Sequence, residues 1–332
     1  MARPIVKDRK ILQDDSVFDE LVEIPNLLDV QKNSFKDFIK TGVKDELLNI
    51  SPIIDNSGKM QLEFLEDYVV EEPEHSFEEC QRLEITYGCA LRVPVRLINK
   101  ETGEVVEQTV FMSELPKMSD RGTFLINGAE RVVVTQFARS PGVYIRKKMV
   151  NFKQTNLVTA SIIPNRGSWL EIEVEKDETL LAYINKIKKV PLSIFLSAIG
   201  VTEKDLINIK HQDILSKTLE KYPMVSKEEG AVELYKKISP GDPVTVEGAQ
   251  NFIFNMFFNP SKYNLDKVGR YRINKRLNLK VDENETILKN EDIIATVDEL
   301  LNIYVERGIT DDIDHLANRR LRGAGEQMQK QL

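Results

Sequence analysis

Apolar residues follow two periodicities along the chain. Leu91, Val93, Val95 and Leu97 alternate with Arg92, Pro94 and Arg96, which predicts a half-buried strand. Pro94 has no amide to give a ladder, so its place is expected at an edge or a bulge. Lys100-Glu101-Thr102-Gly103 then turns the chain into Val105 to Met112. Two short strands, Thr123 to Ile126 and Arg131 to Gln136, are predicted to join through Asn127-Gly128, residues that accept the positive φ of a tight hairpin. Val132 and Val134 alternate with Arg131, Val133 and Thr135, predicting one buried face, and Ser140-Pro141-Gly142 ends the pattern. Strands recur near Leu157 to Ile163 and Leu170 to Val174. Helical spacing marks residues 26–40, with Leu28, Phe35, Phe38 and Ile39 on one side and Pro25 ahead of the start. It returns in Val246, Ala249, Ile253, Met256 and Phe257, and again in Ile293, Ile294, Val297, Leu300, Leu301 and Tyr304, closed by Gly308. Thr202 with Asp205 has the spacing of a helix N-cap. The chain is therefore expected to be α+β, with a sheet-rich first domain ending near residue 138 and a mixed region after it.

Composition narrows this reading. A chain of 332 residues is long enough for two domains, and 41% hydrophobic residues with a net charge of -7 place it among globular proteins. The acidic balance argues against nucleic-acid binding over the whole surface, but basic residues cluster locally at Arg139 to Lys148, Arg270 to Arg276 and Arg319 to Arg322. Acid is segregated as well, with eight Asp or Glu and no Lys or Arg from Glu63 to Glu79. Cys80 and Cys89, with three scattered histidines, form no zinc spacing, and a reduced compartment is expected. Lys7 to Lys10 mixes charges without an apolar core, so no signal peptide is expected, and no apolar run nears the ~18 residues of a membrane span.

Motifs of catalysis are missing from the sequence: no Gly-x-x-x-x-Gly-Lys loop, no His-Glu-x-x-His, no Gly-x-Ser-x-Gly. Asp311, Asp312 and Asp314 are carboxylates of the kind that clamp magnesium in phosphoryl transfer. Arg319 and Arg320 follow at once, and a non-metal role is favoured. Trp169, the only tryptophan, is expected on the strand face of Glu171 and Glu173, as either edge packing or a stacking platform. Arg270, Arg272, Lys275 and Arg276 are either a solvated basic strand or a row of phosphate contacts.

Six ordered segments resemble one family. They are GTFLINGAERVVVTQFARSPGVYIRKK (Gly122 to Lys148), EIPNLLDVQKNSF (Glu23 to Phe35), TYGCALRVPVRL (Thr86 to Leu97), RGSWLEIE (Arg166 to Glu173), the stretch Pro240 to Leu277, and DDIDHLANRRLRGAGE (Asp311 to Glu326). Taken in chain order they are similar to the N-terminal part of the bacterial-type DNA-directed RNA polymerase beta subunit. The resemblance implies a sheet-rich protrusion (1–138), an inserted mixed α/β lobe (139–313) and a return to the protrusion (314–332) cut short at Leu332. It also implies that the piece carries no catalytic residue and binds no cofactor, the polymerase's magnesium being held by another subunit.

Site residues follow from the same resemblance. It implies that Trp169 stacks on an exposed base of the non-template strand, and that Arg270 is the best candidate for a backbone phosphate contact. Arg139 and Ile313-Asp314 are implied to share a pocket for a flipped-out guanine. There the carboxylate would accept from guanine's N1 and N2 hydrogens; capping of the following helix is the alternative role for Asp314. Ala317 stands where the family usually has Gly. Arg131, Val134 and Gln136 match rifamycin-pocket positions, whose main cluster would lie beyond Leu332, and Val134 is equally readable as sheet core. Val105, Val106 and Glu107 match the docking strand for the transcription–repair coupling factor, with Val106 where Lys is usual. Implied partners are DNA (non-template strand and downstream duplex), the beta-prime, alpha and omega subunits and sigma factor, in a cytoplasmic, nucleoid-associated enzyme with no membrane contact. The competing reading is an adaptor that docks transcription factors and touches no DNA.

Overall fold

The computed structural model describes residues 26–55, 57–150, 155–185, 188–306 and 308–332. Pro25 and the charged stretch Lys7 to Lys10 lie outside the described residues. The chain divides into two compact units, one running to Thr135 and taking in Gly323–Leu332, the other Gln136–Arg322.

In the first unit, helices α1 (Asp29–Asp37) and α2 (Val43–Ile50) are joined by one π-helical turn, Phe38–Gly42. Strands β1 (Ile53–Ile54), β2 (Met60–Phe64) and β3 (Val69–Val70) and the short helix α3 (Phe77–Arg82) lead to the long strands β4 (Gly88–Asn99) and β5 (Val105–Pro116). The sheet is antiparallel in the order β1-β2-β4-β3, with β5 also paired to β4. Leu91, Val93 and Leu115 meet Phe38, Val43 and Leu47 in one buried cluster, so the alternation marks the core face over the first half of β4, while Val95 is half-buried and Leu97 is exposed. Pro94 is not on an edge strand. Its carbonyl accepts from the Leu65 amide in the gap between the β3 and β2 pairings, a gap in which a missing amide leaves no ladder bond broken. The helix Ala324–Gln329 packs against α1. A side chain at Gly325 would put its Cβ 1.9 Å from the Ser34 carbonyl oxygen, so only glycine allows this approach.

The hairpin is shorter than its pattern predicts. β6 (Phe124–Ile126) and β7 (Ala129–Arg131) turn through Asn127 (φ 51°) and Gly128 (φ 75°), both left-handed as the sequence requires. Residues 132–135 form no strand. Val132 and Val134 are exposed, so neither the buried face nor a sheet-core role for Val134 exists. Their segment is held instead by side chains: Gln31 donates to the Val133 carbonyl at 2.8 Å and Gln327 to the Val134 carbonyl at 3.0 Å.

The second unit opens with β8 (Gln136–Arg139) and continues into an antiparallel meander. Strands β9 (Gly142–Val150), β10 (Thr155–Ile163), β11 (Leu170–Val174), β12 (Leu180–Ile184) and β13 (Lys188–Pro191) pair in simple succession. Six helices follow: α4 (Leu192–Ile199), α5 (Gln212–Lys221), α6 (Lys227–Ile238), α7 (Val246–Phe257), α8 (Asp266–Leu277) and α9 (Asn290–Glu306). The predicted stripes of α7 and α9 enter one core through Ala249, Ile253, Phe257, Ile293, Val297, Leu300 and Leu301. There each fully buried Leu, Ile or Phe contributes ~1.5–3 kcal/mol. Thr202 and Asp205 form a reciprocal capping box, though on a 3-10 turn, Glu203–Leu206. Arg270 to Arg276 is not a strand but the body of α8. The last strand, β14 (Arg319–Arg322), returns to pair with β8, so residues 314–322 stay with this unit beyond the expected limit of 313.

Candidate nucleic-acid interface

The β8–β14 ladder brings the two ends of the second unit side by side, with Arg139 directly opposite Arg319 and Phe137 opposite Leu321. Alternation puts Arg139 and Arg319 on one face of this ribbon. Arg139 holds its guanidinium carbon 5.9 Å from the centre of the Trp169 ring, within cation–π range, and its buried Nη1 has no hydrogen-bond partner. Arg319 pairs with the Asp314 carboxylate, which stays 83% exposed and keeps an accepting edge toward solvent. Arg139, Trp169, Arg319 and Asp314 thus form a cationic and aromatic cluster with one open carboxylate.

Local structure fixes each member. Trp169 sits just ahead of β11, clamped by Asn185: the Trp169 amide donates to Asn185 Oδ1 at 2.9 Å, and the Asn185 amide donates to the Trp169 carbonyl at 2.9 Å. Behind it Gly167, at φ 127°, packs on the Tyr263 ring; a Cβ there would lie 2.5 Å from Tyr263 Cδ2. The polar face expected for this strand is largely covered. Glu171 is buried and accepts from Ser161 Oγ at 3.3 Å and Arg146 Nη2 at 3.4 Å, because β11 lies inside the sheet with partners on both sides.

Asp314 does not cap the turn after it. His315 does, its Nδ1 accepting from the Ala317 amide at 3.1 Å. Ala317 is absent from the residues at positive φ, so no glycine is needed there, and the replacement leaves the turn intact. Ile313 is half-buried on the same segment. Among the described residues no group of three His, Cys, Asp or Glu is placed to hold a metal ion. Asp311 instead accepts the Ile145 amide at 2.8 Å.

Arg270 is not placed to contact a phosphate. Its side chain is fully buried; Nη1 donates to Asp292 Oδ1 at 2.7 Å, Nε to the Glu285 carbonyl at 2.6 Å, and Nη2 to the Ile287 carbonyl. Each nitrogen of the guanidinium donates inside the protein, and the side chain shows no surface to a phosphate. Of the rifamycin-matched positions, Arg131 and Val134 are exposed in the first unit and Gln136 opens β8 in the second. Val105, Val106 and Glu107 lie at the start of β5, which among the described residues pairs with β4 alone. Both valines are about half exposed, and Glu107 accepts from Arg96 Nε at 2.7 Å. The sequence marks Arg319 only as part of the basic run Arg319 to Arg322 and does not mark Asn185. Strand parity against Arg139 would have found the first, but only the fold reveals the second.

A family model described as RNA polymerase Rpb2, domain 2, matches residues 139–322, nearly the whole second unit. The chain is 46% identical over 311 residues to a protein named DNA-directed RNA polymerase subunit beta from Gloeobacter violaceus, and 45% identical over 312 residues to the one from Thermosynechococcus vestitus. The Synechocystis protein of the same name is 44% identical over 312 residues. Each alignment covers 93% of this chain and 28% of the relative, so the chain spans a little over a quarter of the length of these relatives. Among the described residues, no helix is long and apolar enough to cross a membrane.

Proposed function

The chain belongs to the family of DNA-directed RNA polymerase beta subunits, and from that membership we propose that it forms one wall of the DNA channel and holds the non-template strand during transcription. It serves there as part of a cytoplasmic nucleotidyltransferase, beside the beta-prime, alpha and omega subunits and sigma factor, and contributes no bond-making group of its own. The observation that carries this reading is the cluster at the β8–β14 ladder. A cation over an aromatic ring beside a solvent-facing carboxylate suits an unstacked base and its phosphate. Trp169 offers the stacking platform, Asp314 accepts from the Watson–Crick edge of guanine, Arg139 holds the phosphate or adjoining base edge, and Ile313 packs against the ring.

Abasic substitutions walked along the non-template strand of a melted bubble test this. Polymerase assembled with this subunit should lose affinity at one position, on the order of tenfold for a lost stacked base. Trp169→Ala should remove that position's effect and leave the others. An abasic scan that is flat in the unsubstituted enzyme would overturn the reading.

The exposed start of β5 supports a second role, docking of the transcription–repair coupling factor by strand addition. It is compatible with DNA contact by the other unit and does not require the adaptor-only alternative.

A further inference from the structure

With Arg270 buried, Arg272 and Arg276 of the same basic run on α8 remain to be explained. Both are engaged with the segment that carries Asp314. Arg272 Nη2 donates to the Ala317 carbonyl, and its Nη1 reaches Asn318 Oδ1 at 3.5 Å. The same Nη1 donates to the Tyr144 hydroxyl at 2.6 Å, and that hydroxyl donates onward to the Ser140 carbonyl at 2.8 Å. Ser140 follows Arg139, and Asn318 precedes Arg319. Their backbones also meet directly, the Ser140 amide donating to the Asn318 carbonyl at 3.0 Å. One guanidinium therefore holds the outgoing backbone of the second unit directly and the incoming backbone through the Tyr144 hydroxyl, immediately beside the residues of the cluster.

The Ser-Pro-Gly turn is shaped for this grip. Pro141 rests on Gly269, where a Cβ would lie 2.9 Å from the proline ring. Gly142, at φ 146°, leaves room for the Arg272 stem, its own Cβ site being 3.2 Å from Arg272 Cβ. One turn further along α8, Arg276 donates to the Ile309 carbonyl at 3.2 Å and lies 3.4 Å from Asp311, which is itself bonded to the Ile145 amide. Both arginines thus fix residues 309–318 against β9 and α8.

We propose that Arg272 is a positioning residue: it sets the spacing between Arg139 and Asp314, and through it the base preference of the pocket, without touching nucleic acid. The inference rests on the guanine-pocket reading above. A shift of an ångström between the guanidinium that holds the strand and the carboxylate that must meet the base edge is enough to lose a bidentate contact, whereas stacking tolerates it.

The test uses polymerase assembled with the full-length subunit, carrying Arg272→Ala, Arg272→Lys or Asp314→Ala. Two quantities are measured: hydrogen exchange of the Ser140 amide, and affinity for bubbles bearing each of the four bases at the read non-template position. Arg272→Ala should expose the Ser140 amide to faster exchange. It should also lower the guanine preference from on the order of tenfold, the worth of one good bidentate contact, to near unity. Binding to the other three bases should stay within about twofold and the salt slope should not change, since no phosphate contact is lost. Arg272→Lys, which keeps a donor but not the fork, should restore part of the preference. If Arg272→Ala keeps the guanine preference while Asp314→Ala abolishes it, the positioning role is wrong and the pocket stands. If Arg272→Ala weakens all four bases alike with a shallower salt slope, Arg272 is a phosphate contact and the inference is overturned. An unsubstituted enzyme without any guanine preference would overturn the pocket reading, and this inference with it.

Discussion

Arg270 on α8 and Asp292 on α9 meet at 2.7 Å with neither side chain exposed to solvent, and the Lys289 amide donates to the second Asp292 oxygen at 2.8 Å. A buried pair of this kind is expensive to break from one side, because the remaining charge keeps its desolvation cost without a partner. Arg270→Ala or Asp292→Ala should each cost ~3–5 kcal/mol. The pair replaced together by Met and Leu should cost less than the sum. Thermal melts of the four proteins check this. Arg270→Ala that left the melting temperature in place but flattened the salt dependence of DNA binding would return Arg270 to the surface.

Tyr263 lies in the same interior, fully buried, and its hydroxyl has no hydrogen-bond partner. Burial first, and Asp292 second, push its ionisation well above the usual tyrosine range. The unfolded chain releases this proton near pH 10 while the folded chain retains it, so the unfolded state binds fewer protons and stability falls as pH rises past that point. Tyr263→Phe should reduce that alkaline loss. At pH 7 it should be neutral or stabilising by about 1 kcal/mol, since an orphan hydroxyl is removed. A melting temperature several degrees lower at pH 7 would show that the hydroxyl has a partner.

Gly167 stands between this interior and Trp169. An alanine there would have to hold φ 127° and place its Cβ 2.5 Å from the Tyr263 ring, a combination that costs ~1–3 kcal/mol or displaces the loop. Trp169 is the only tryptophan in the chain, so its fluorescence reports the loop alone. Gly167→Ala should shift the Trp169 emission and weaken binding of single-stranded DNA. Unchanged emission together with unchanged stability would mean that the loop does not depend on this contact.

Much of this fold is legible in the sequence where periodicity and turn chemistry agree. The stripes of α7 and α9, the alternation of β4 and the Asn127-Gly128 turn all reappear in the structure, because each rests on a local rule that tertiary packing reinforces. Residues 132–135 depart from their pattern because a run of valines carries strand propensity but, among the described residues, pairs with no strand; Gln31 and Gln327, distant in sequence, donate to the Val133 and Val134 carbonyls instead. Charge misled differently. Arg270, Arg272 and Arg276 look alike as a basic run, yet one is buried against Asp292 and the other two grip the segment 309–318, and no local pattern separates these fates. Arg139 and Asp314 lie far apart in sequence; the β8–β14 register is what places Arg139 beside the partner of Asp314.

The start of β5 gives the remaining prediction. Glu107 stands directly opposite Arg96 in the ladder and accepts from its Nε, while Val105 and Val106 expose apolar surface along a strand that, among the described residues, pairs with β4 alone. A strand end of this kind offers backbone groups to an added strand, and its side chains select the partner. Val106 carries no charge, so selection here rests on Glu107 and on the apolar contacts. Glu107→Arg would set two like charges opposite each other, costing ~0.2–1 kcal/mol within the sheet, a loss small enough to leave the first unit folded. The same change inverts the charge offered to a docking strand, and coupling-factor affinity should fall on the order of tenfold, the size of one lost charge-assisted bond. Val106→Lys should keep or improve that affinity, because the backbone contacts persist and a charge returns. Coupling-factor binding that is indifferent to Glu107→Arg, measured beside an unchanged melting temperature, would mean that the factor docks elsewhere.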